Sequence, residues 1–209
     1  RSPIAEQYRA IRTNIQFSAV AEAIKSIAIT SPGPSAGKSL TAANLAVVYA
    51  QQGMKTLLID ADLRKPTVHY TFRLDNLRGL SNVLINECSL DEAIEEGSVE
   101  NLQILSCGPI PPNPAELLAS KQRESLIASA EEDYAFIIID MPPALAVTDA
   151  KIVSQLVDGT LLVARSGITE KEALERTHEQ LNEGKARMLG VILNDLPQSE
   201  EAYTYYYGE

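Results

Sequence analysis

Gly37-Lys38-Ser39 follows the apolar run Ile27-Ala28-Ile29 and the loop Thr30-Ser31-Pro32-Gly33-Pro34-Ser35-Ala36. A strand, a loop and then a helix is the context in which a Walker A loop cradles nucleotide phosphates. The backbone N–H groups of such a loop, and the helix N-terminus behind it, attract phosphate oxygens. The residues expected around the nucleotide are Gly33, Pro34, Ser35, Ala36, Gly37, Lys38, Ser39 and Leu40. Lys38 is expected to reach the β- and γ-phosphates of ATP, and Ser39 to place its hydroxyl on Mg²⁺. One departure matters: Pro32 stands five residues before Gly37, so the strict GxxxxGK[ST] pattern fails at its first position.

Two further stretches supply carboxylates. Phe136-Ile137-Ile138-Ile139 ends in Asp140 and continues Met141-Pro142-Pro143, and reads as a Walker B strand. Thr56-Leu57-Leu58-Ile59 ends in Asp60, with Asp62 two residues on, then Arg64 and Lys65. Apolar strands of this kind bring their terminal acids to the carboxyl edge of an open α/β sheet, where ligands gather. Asp140 is expected to hold Mg²⁺ through water, because that ion keeps much of its hydration. A period of two sends Asp60 and Asp62 to the same side. Two acids beside Mg-ATP can divide labour, one helping to hold the metal and the other accepting a proton from an attacking hydroxyl. Arg64 and Lys65 balance nearby negative charge.

The elements that must position these residues follow from pattern. Ser2-Pro3 opens a helix running to about Phe17, with Ser2 as N-cap. Strands are expected at 26–30, 56–60, 102–106, 136–140, 159–165 and 190–194. Helices are expected from Gly37 to Gln52, closed by Gly53, and at 80–85, 90–94, 148–155 and 169–185, with another starting near Asn113-Pro114. Residues 64–78 lack a clean period. Short, continuous apolar strands alternating with helices mean a buried, mostly parallel sheet. The fold expected is α/β, a P-loop NTPase-like three-layer sandwich. Residues 1–198 form one domain, with an N-terminal helix over 1–20 and a polar, tyrosine-rich tail over 199–209.

Composition bounds the rest. The 209 residues fit one α/β domain with a full core. A net charge of −10 argues against a nucleic-acid partner. No apolar run approaches the roughly 18–20 residues needed to cross a bilayer. No secretory signal is read at the start, which is Arg1 rather than Met. Cys88 and Cys107 lack CxxC or metal spacing and read as reduced thiols, and His69 and His178 read as structural or surface residues. The HRD and DFG motifs of eukaryotic protein kinases are absent.

Taken together, the Walker A loop, Asp60-Ala61-Asp62-Leu63-Arg64 and Asp140-Met141-Pro142-Pro143 resemble the bacterial tyrosine kinases of capsule and exopolysaccharide synthesis. That family has an apolar strand plus DxDxR and a Walker B ending DxxP, and often lacks the first Walker A glycine. The likeness extends to Glu6-Gln7-Tyr8-Arg9-Ala10-Ile11-Arg12, to the stretch at 111–118 and to the tail tyrosines, and is closer to the stand-alone kinase of Gram-positive bacteria. It implies transfer of the ATP γ-phosphoryl group to tyrosine in service of polysaccharide synthesis. Lys38 and the loop amides stabilise phosphate charge, Mg²⁺ is held by Ser39, Asp62 and Asp140, Asp60 is the base or orienter of the phenol, and Arg64 assists. By the same resemblance Asn194 is expected to border the adenine, and Tyr203, Tyr205, Tyr206 and Tyr207 to be the phosphate acceptors, modified between subunits. The resemblance further implies that Glu6, Arg9 and Arg12 join subunits into a homo-oligomeric ring of eight, and that a transmembrane activator or adaptor holds a cytoplasmic chain at the inner face of the membrane. Two alternatives are a ParA/MinD-like ATPase, which carries a signature lysine where this chain has Gly33, and a non-catalytic nucleotide-binding regulator.

Overall fold

The computed structural model describes residues 2–20 and 22–197. The expected tail at 199–209, with its four acceptor tyrosines, lies outside them. Within them stand nine helices and seven strands. In chain order these are α1 (Pro3–Ser18), β1 (Ser26–Thr30), α2 (Lys38–Ala50), β2 (Thr56–Asp60), α3 (Val68–Phe72), α4 (Leu80–Leu84), α5 (Leu90–Ala93) and β3 (Glu95–Glu96). Then come β4 (Leu102–Leu105), α6 (Pro114–Leu118), α7 (Lys121–Asp133), β5 (Phe136–Asp140), α8 (Asp149–Ser154), β6 (Gly159–Arg165), α9 (Lys171–Glu183) and β7 (Met188–Asn194).

The strands form one sheet in the order β3-β4-β2-β5-β1-β6-β7. Every neighbouring pair is parallel except β3 with β4. Strand alternation divides the core into two layers. Ala28, Leu57, Ile59, Ile137, Ile139 and Leu162 pack on one face with α7, α8 and α9. Ile27, Ile29, Leu58, Phe136, Ile138, Leu161 and Val163 pack on the other with α1 and α2. The central strands β1, β2 and β5 are therefore buried at every position and mostly apolar, as a sheet covered on both faces requires.

Three elements escaped the sequence reading, one of them α3, inside the stretch 64–78 that lacks a clean period. The two-residue strand β3 is charged at both positions and is held by backbone pairing of Glu95 with Ile104 and of Glu96 with Gln103. Helix α7 buries only Arg123, Leu126, Ile127 and Ala130. Its other positions are polar or small, so its period is faint. Ser2 does occupy the N-cap of α1, with Pro3 at the first turn, but its hydroxyl makes no capping bond.

This topology sets the site. The adjacent strands β2, β5 and β1 all end at one edge, with Asp60, Asp140 and Thr30 as their last residues. Asp60 and Asp140 are direct register partners, so two carboxylates emerge side by side next to the loop that follows β1.

Candidate active site

The loop after β1 is braced from several sides. Ser31 Oγ donates to the Gly33 carbonyl at 2.6 Å. Thr30 Oγ1 donates to the Pro142 carbonyl, and the Ala144 N–H to the Ser31 carbonyl, so the Walker A and Walker B loops are stitched together. Gly37 sits at φ 88°, in the left-handed region, immediately before α2. A Cβ built there would lie 2.1 Å from Asn194 Nδ2, whose amide donates to the Ala36 carbonyl at 3.1 Å. Asn194, the last residue of β7, thus props the loop. This places Asn194 against the phosphate loop, at the end of the last strand. Pro34, Ser35 and Leu40 are exposed, whereas Ala36 and Lys38 are buried.

Lys38 brings the chemistry together. Its Nζ lies 3.1 Å from Ser39 Oγ, 3.3 Å from Asp62 Oδ2 and 3.4 Å from Asp140 Oδ1. Burial pushes the Asp140 carboxyl upward, and the Lys38 ammonium opposes that shift. Asp140 Oδ2 is buried and accepts no hydrogen bond among the described residues. A buried carboxylate oxygen left unpaired costs free energy unless something cationic or hydrogen-bonding meets it. Among the described residues no group of three or more His, Cys, Asp or Glu is poised to hold a metal. Two carboxylates, one hydroxyl and phosphate oxygens fit Mg²⁺, which binds through few protein ligands and keeps waters.

The two aspartates after β2 do different things. Asp60 is fully buried. Its Oδ1 accepts from the Asp62 N–H, and its Oδ2 from the N–H groups of Thr67 and Val68, each at 3.1 Å. Burial, then the Asp140 charge, raises its pKa to about 7 against the pull of those backbone donors. Asp62 accepts from the N–H groups of Arg64 and Lys65 through Oδ1 and turns Oδ2 to Lys38. The two carboxylates thus have different partners, because the strand ends at Asp60 and the chain turns. Asp60 braces the loop over 62–68, and of these two aspartates it is Asp62 that joins Asp140 at the lysine.

Arg64 donates Nε and Nη2 to the two oxygens of Asp149, each at 3.0 Å. That bond raises the Arg64 pKa further. Asp149, wholly buried at the start of α8, was missed from the sequence. The one signal was an acid opening a helix after the Walker B strand, and nothing local ties it to an arginine 85 residues away. Glu6 and Arg9 pair within α1. Arg12 Nη1 instead donates to the Val48 carbonyl of α2 at 2.8 Å, so part of the expected interface motif docks the chain's own helices. Cys107 is a buried thiol pushed up to about 12 by burial and by Asp60 and Asp62, in keeping with an unreactive role.

Comparison with known proteins agrees with this arrangement. A family described as an AAA domain matches residues 24–177. The tyrosine-protein kinase YwqD of Bacillus subtilis is 51% identical over 204 residues, covering 98% of this chain and 86% of that protein. The chain belongs to the bacterial tyrosine kinases. The crystal structure of the chimerical protein CapA2B2 superposes on this kinase with a TM-score of 0.91 and 45% identity, covering 95% of this chain and 87% of that one. The septum site-determining protein MinD of Pyrococcus horikoshii, complexed with Mg-ADP, stands further off. Its TM-score is 0.71 at 27% identity, covering 87% of this chain and 76% of its own. The P-loop fold is thus shared with the MinD ATPase, while sequence places the chain with the kinases.

Proposed function

We propose that this kinase transfers the γ-phosphoryl group of ATP to tyrosines of its own C-terminal cluster, between subunits, and thereby regulates capsular or exopolysaccharide synthesis. The observation that carries the site assignment is the convergence of Lys38, Ser39, Asp62 and Asp140 at one sheet edge, with one Asp140 oxygen unpaired. Lys38 and the loop amides neutralise charge on the phosphates. Ser39 and Asp140 would hold Mg²⁺, which would supply neutralisation of phosphate charge. Asp62, already beside Lys38, orients the acceptor phenol and accepts its proton as the new O–P bond forms and the bond to the β-phosphate bridging oxygen breaks. Asp60 is a positioning residue: its three backbone bonds fix the turn that carries Asp62.

This division departs from the expectation that Asp60 serves the phenol and Asp62 the metal. Its support is that both Asp60 oxygens are already engaged by backbone donors. The ring of eight, the transmembrane adaptor and the place at the inner membrane face follow from the family resemblance. No helix among the described residues is long and apolar enough to cross a membrane.

The test is incubation with Mg-ATP and mass spectrometry for phosphotyrosine. The parent is expected to modify Tyr203, Tyr205, Tyr206 or Tyr207, and Lys38→Met to modify none. A tailless active chain mixed with full-length Lys38→Met should phosphorylate the latter. If the parent modifies no tyrosine even with an adaptor's cytosolic segment added, the reading falls.

A further inference from the structure

Arg64 has a partner that the transfer reaction does not use. Asp149 is fully buried, and among the described residues its carboxylate accepts side-chain hydrogen bonds from Arg64 alone. The paired donation from Nε and Nη2 fixes the plane of the guanidinium, which a single bond would not do. The pair also spans the site, tying the loop after β2 to the start of α8, beyond β5. Arg64 Nη1 donates to no protein group among the described residues, and the side chain keeps 39% of its surface exposed. A cation held this firmly, with one edge left over at the surface, is oriented toward something outside the chain.

Its surroundings say what that is. The Arg64 N–H donates to Asp62, the carboxylate assigned to the acceptor, so the guanidinium and that carboxylate are fixed by one turn. Lys65, the next residue, is exposed too. Between Leu63 and Arg78 the chain places Arg64, Lys65, Arg73 and Arg78 against one acid, Asp75, in a protein of net charge −10. Arg64 and Lys65 thus put two exposed positive charges directly after Asp62, opposite in sign to the molecule as a whole. Opposed charge of that kind selects partners and speeds encounter.

Resting on the kinase reading above, we propose that Asp149 is a positioning residue that holds Arg64 as a reader of acidic side chains flanking the acceptor tyrosine. The substrate class is then a tyrosine-bearing acidic peptide. The chain's own tail has that chemistry, since Glu200, Glu201 and Glu209 bracket Tyr203, Tyr205, Tyr206 and Tyr207.

The experiment uses the full chain and two synthetic acceptors. One is the peptide of residues 198–209, and the other is the same peptide with its three glutamates changed to glutamine. For the parent, the neutral peptide is expected to show a KM about tenfold higher than the acidic one, the size of one charge-assisted hydrogen bond at the low end of its range. In Arg64→Gln and in Asp149→Asn the two KM values should converge, with the rise falling on the peptide rather than on ATP. Arg64→Lys should keep only part of the difference, because it retains the charge without the fork. Asp149→Asn alters a buried site, so Arg64→Gln, at the surface, keeps the test independent of folding. Equal preference for the acidic peptide in the parent and in Arg64→Gln overturns this proposal alone. Absence of tyrosine transfer by the parent overturns the kinase reading, and this proposal with it.

Discussion

Gly37→Ala is the substitution whose consequences can be worked furthest from geometry. Two separate penalties meet there. The residue sits at φ 88°, where an L side chain costs about 1–2 kcal/mol. The new Cβ would also stand 2.1 Å from Asn194 Nδ2. That contact is with the end of a side chain, so Asn194 can swing away, but it then gives up its bond to the Ala36 carbonyl. A net hydrogen bond is worth about 1 kcal/mol, so Gly37→Ala should cost about 2–3 kcal/mol in all. For a chain of this length that lowers Tm by about 4–12 °C. Asn194→Ala alone should cost about 1 kcal/mol. In the double variant the lost bond is counted once, so the combined cost falls short of the sum by about 1 kcal/mol. Urea denaturation of the parent, both single variants and the double variant measures this coupling. Strict additivity would refute the view that Asn194 occupies the space a Cβ needs at Gly37.

The other expected outcomes concern charge and helix docking. Lys38→Met should reduce tyrosine transfer at least about a thousandfold, because phosphate charge loses its nearest fixed cation; quantitative phosphotyrosine mass spectrometry checks this. Asp60 has a folded pKa of about 7, above its ordinary value near 3.8, so the folded state binds the extra proton between those values. Its contribution to stability is therefore full below about pH 4 and is lost as pH rises through about 7. Melting curves from pH 5 to 8 should fall more steeply in the parent than in Asp60→Asn, and equal slopes would count against a raised Asp60. Arg12→Ala should cost about 1 kcal/mol in urea denaturation of the monomeric chain through loss of its bond to the Val48 carbonyl. A variant as stable as the parent would return Arg12 to a purely external role.

The core and the phosphate loop were legible because their signals are local. Four-residue apolar runs such as Phe136-Ile137-Ile138-Ile139 can be buried only by a covered sheet, and Gly37-Lys38-Ser39 lies within one strand–loop–helix unit. The two aspartates after β2 were visible, but their roles were not. Period-two logic assumes that the strand continues, whereas β2 stops at Asp60 and the chain turns back on that carboxylate through Asp62, Thr67 and Val68. Asp149 and the brace by Asn194 were hidden for another reason: each depends on a partner 85 or 158 residues away that only the sheet order brings near. Helix α7 was missed because its buried face carries an arginine and an alanine among only two large apolar residues.

Asp62→Asn tests the central claim most directly. Asparagine keeps the size of the side chain and removes the proton acceptor beside Lys38. Phosphotyrosine formation from Mg-ATP should be abolished, while ATP binding, followed by calorimetry with the full chain, persists. Undiminished tyrosine phosphorylation in Asp62→Asn would contradict the account.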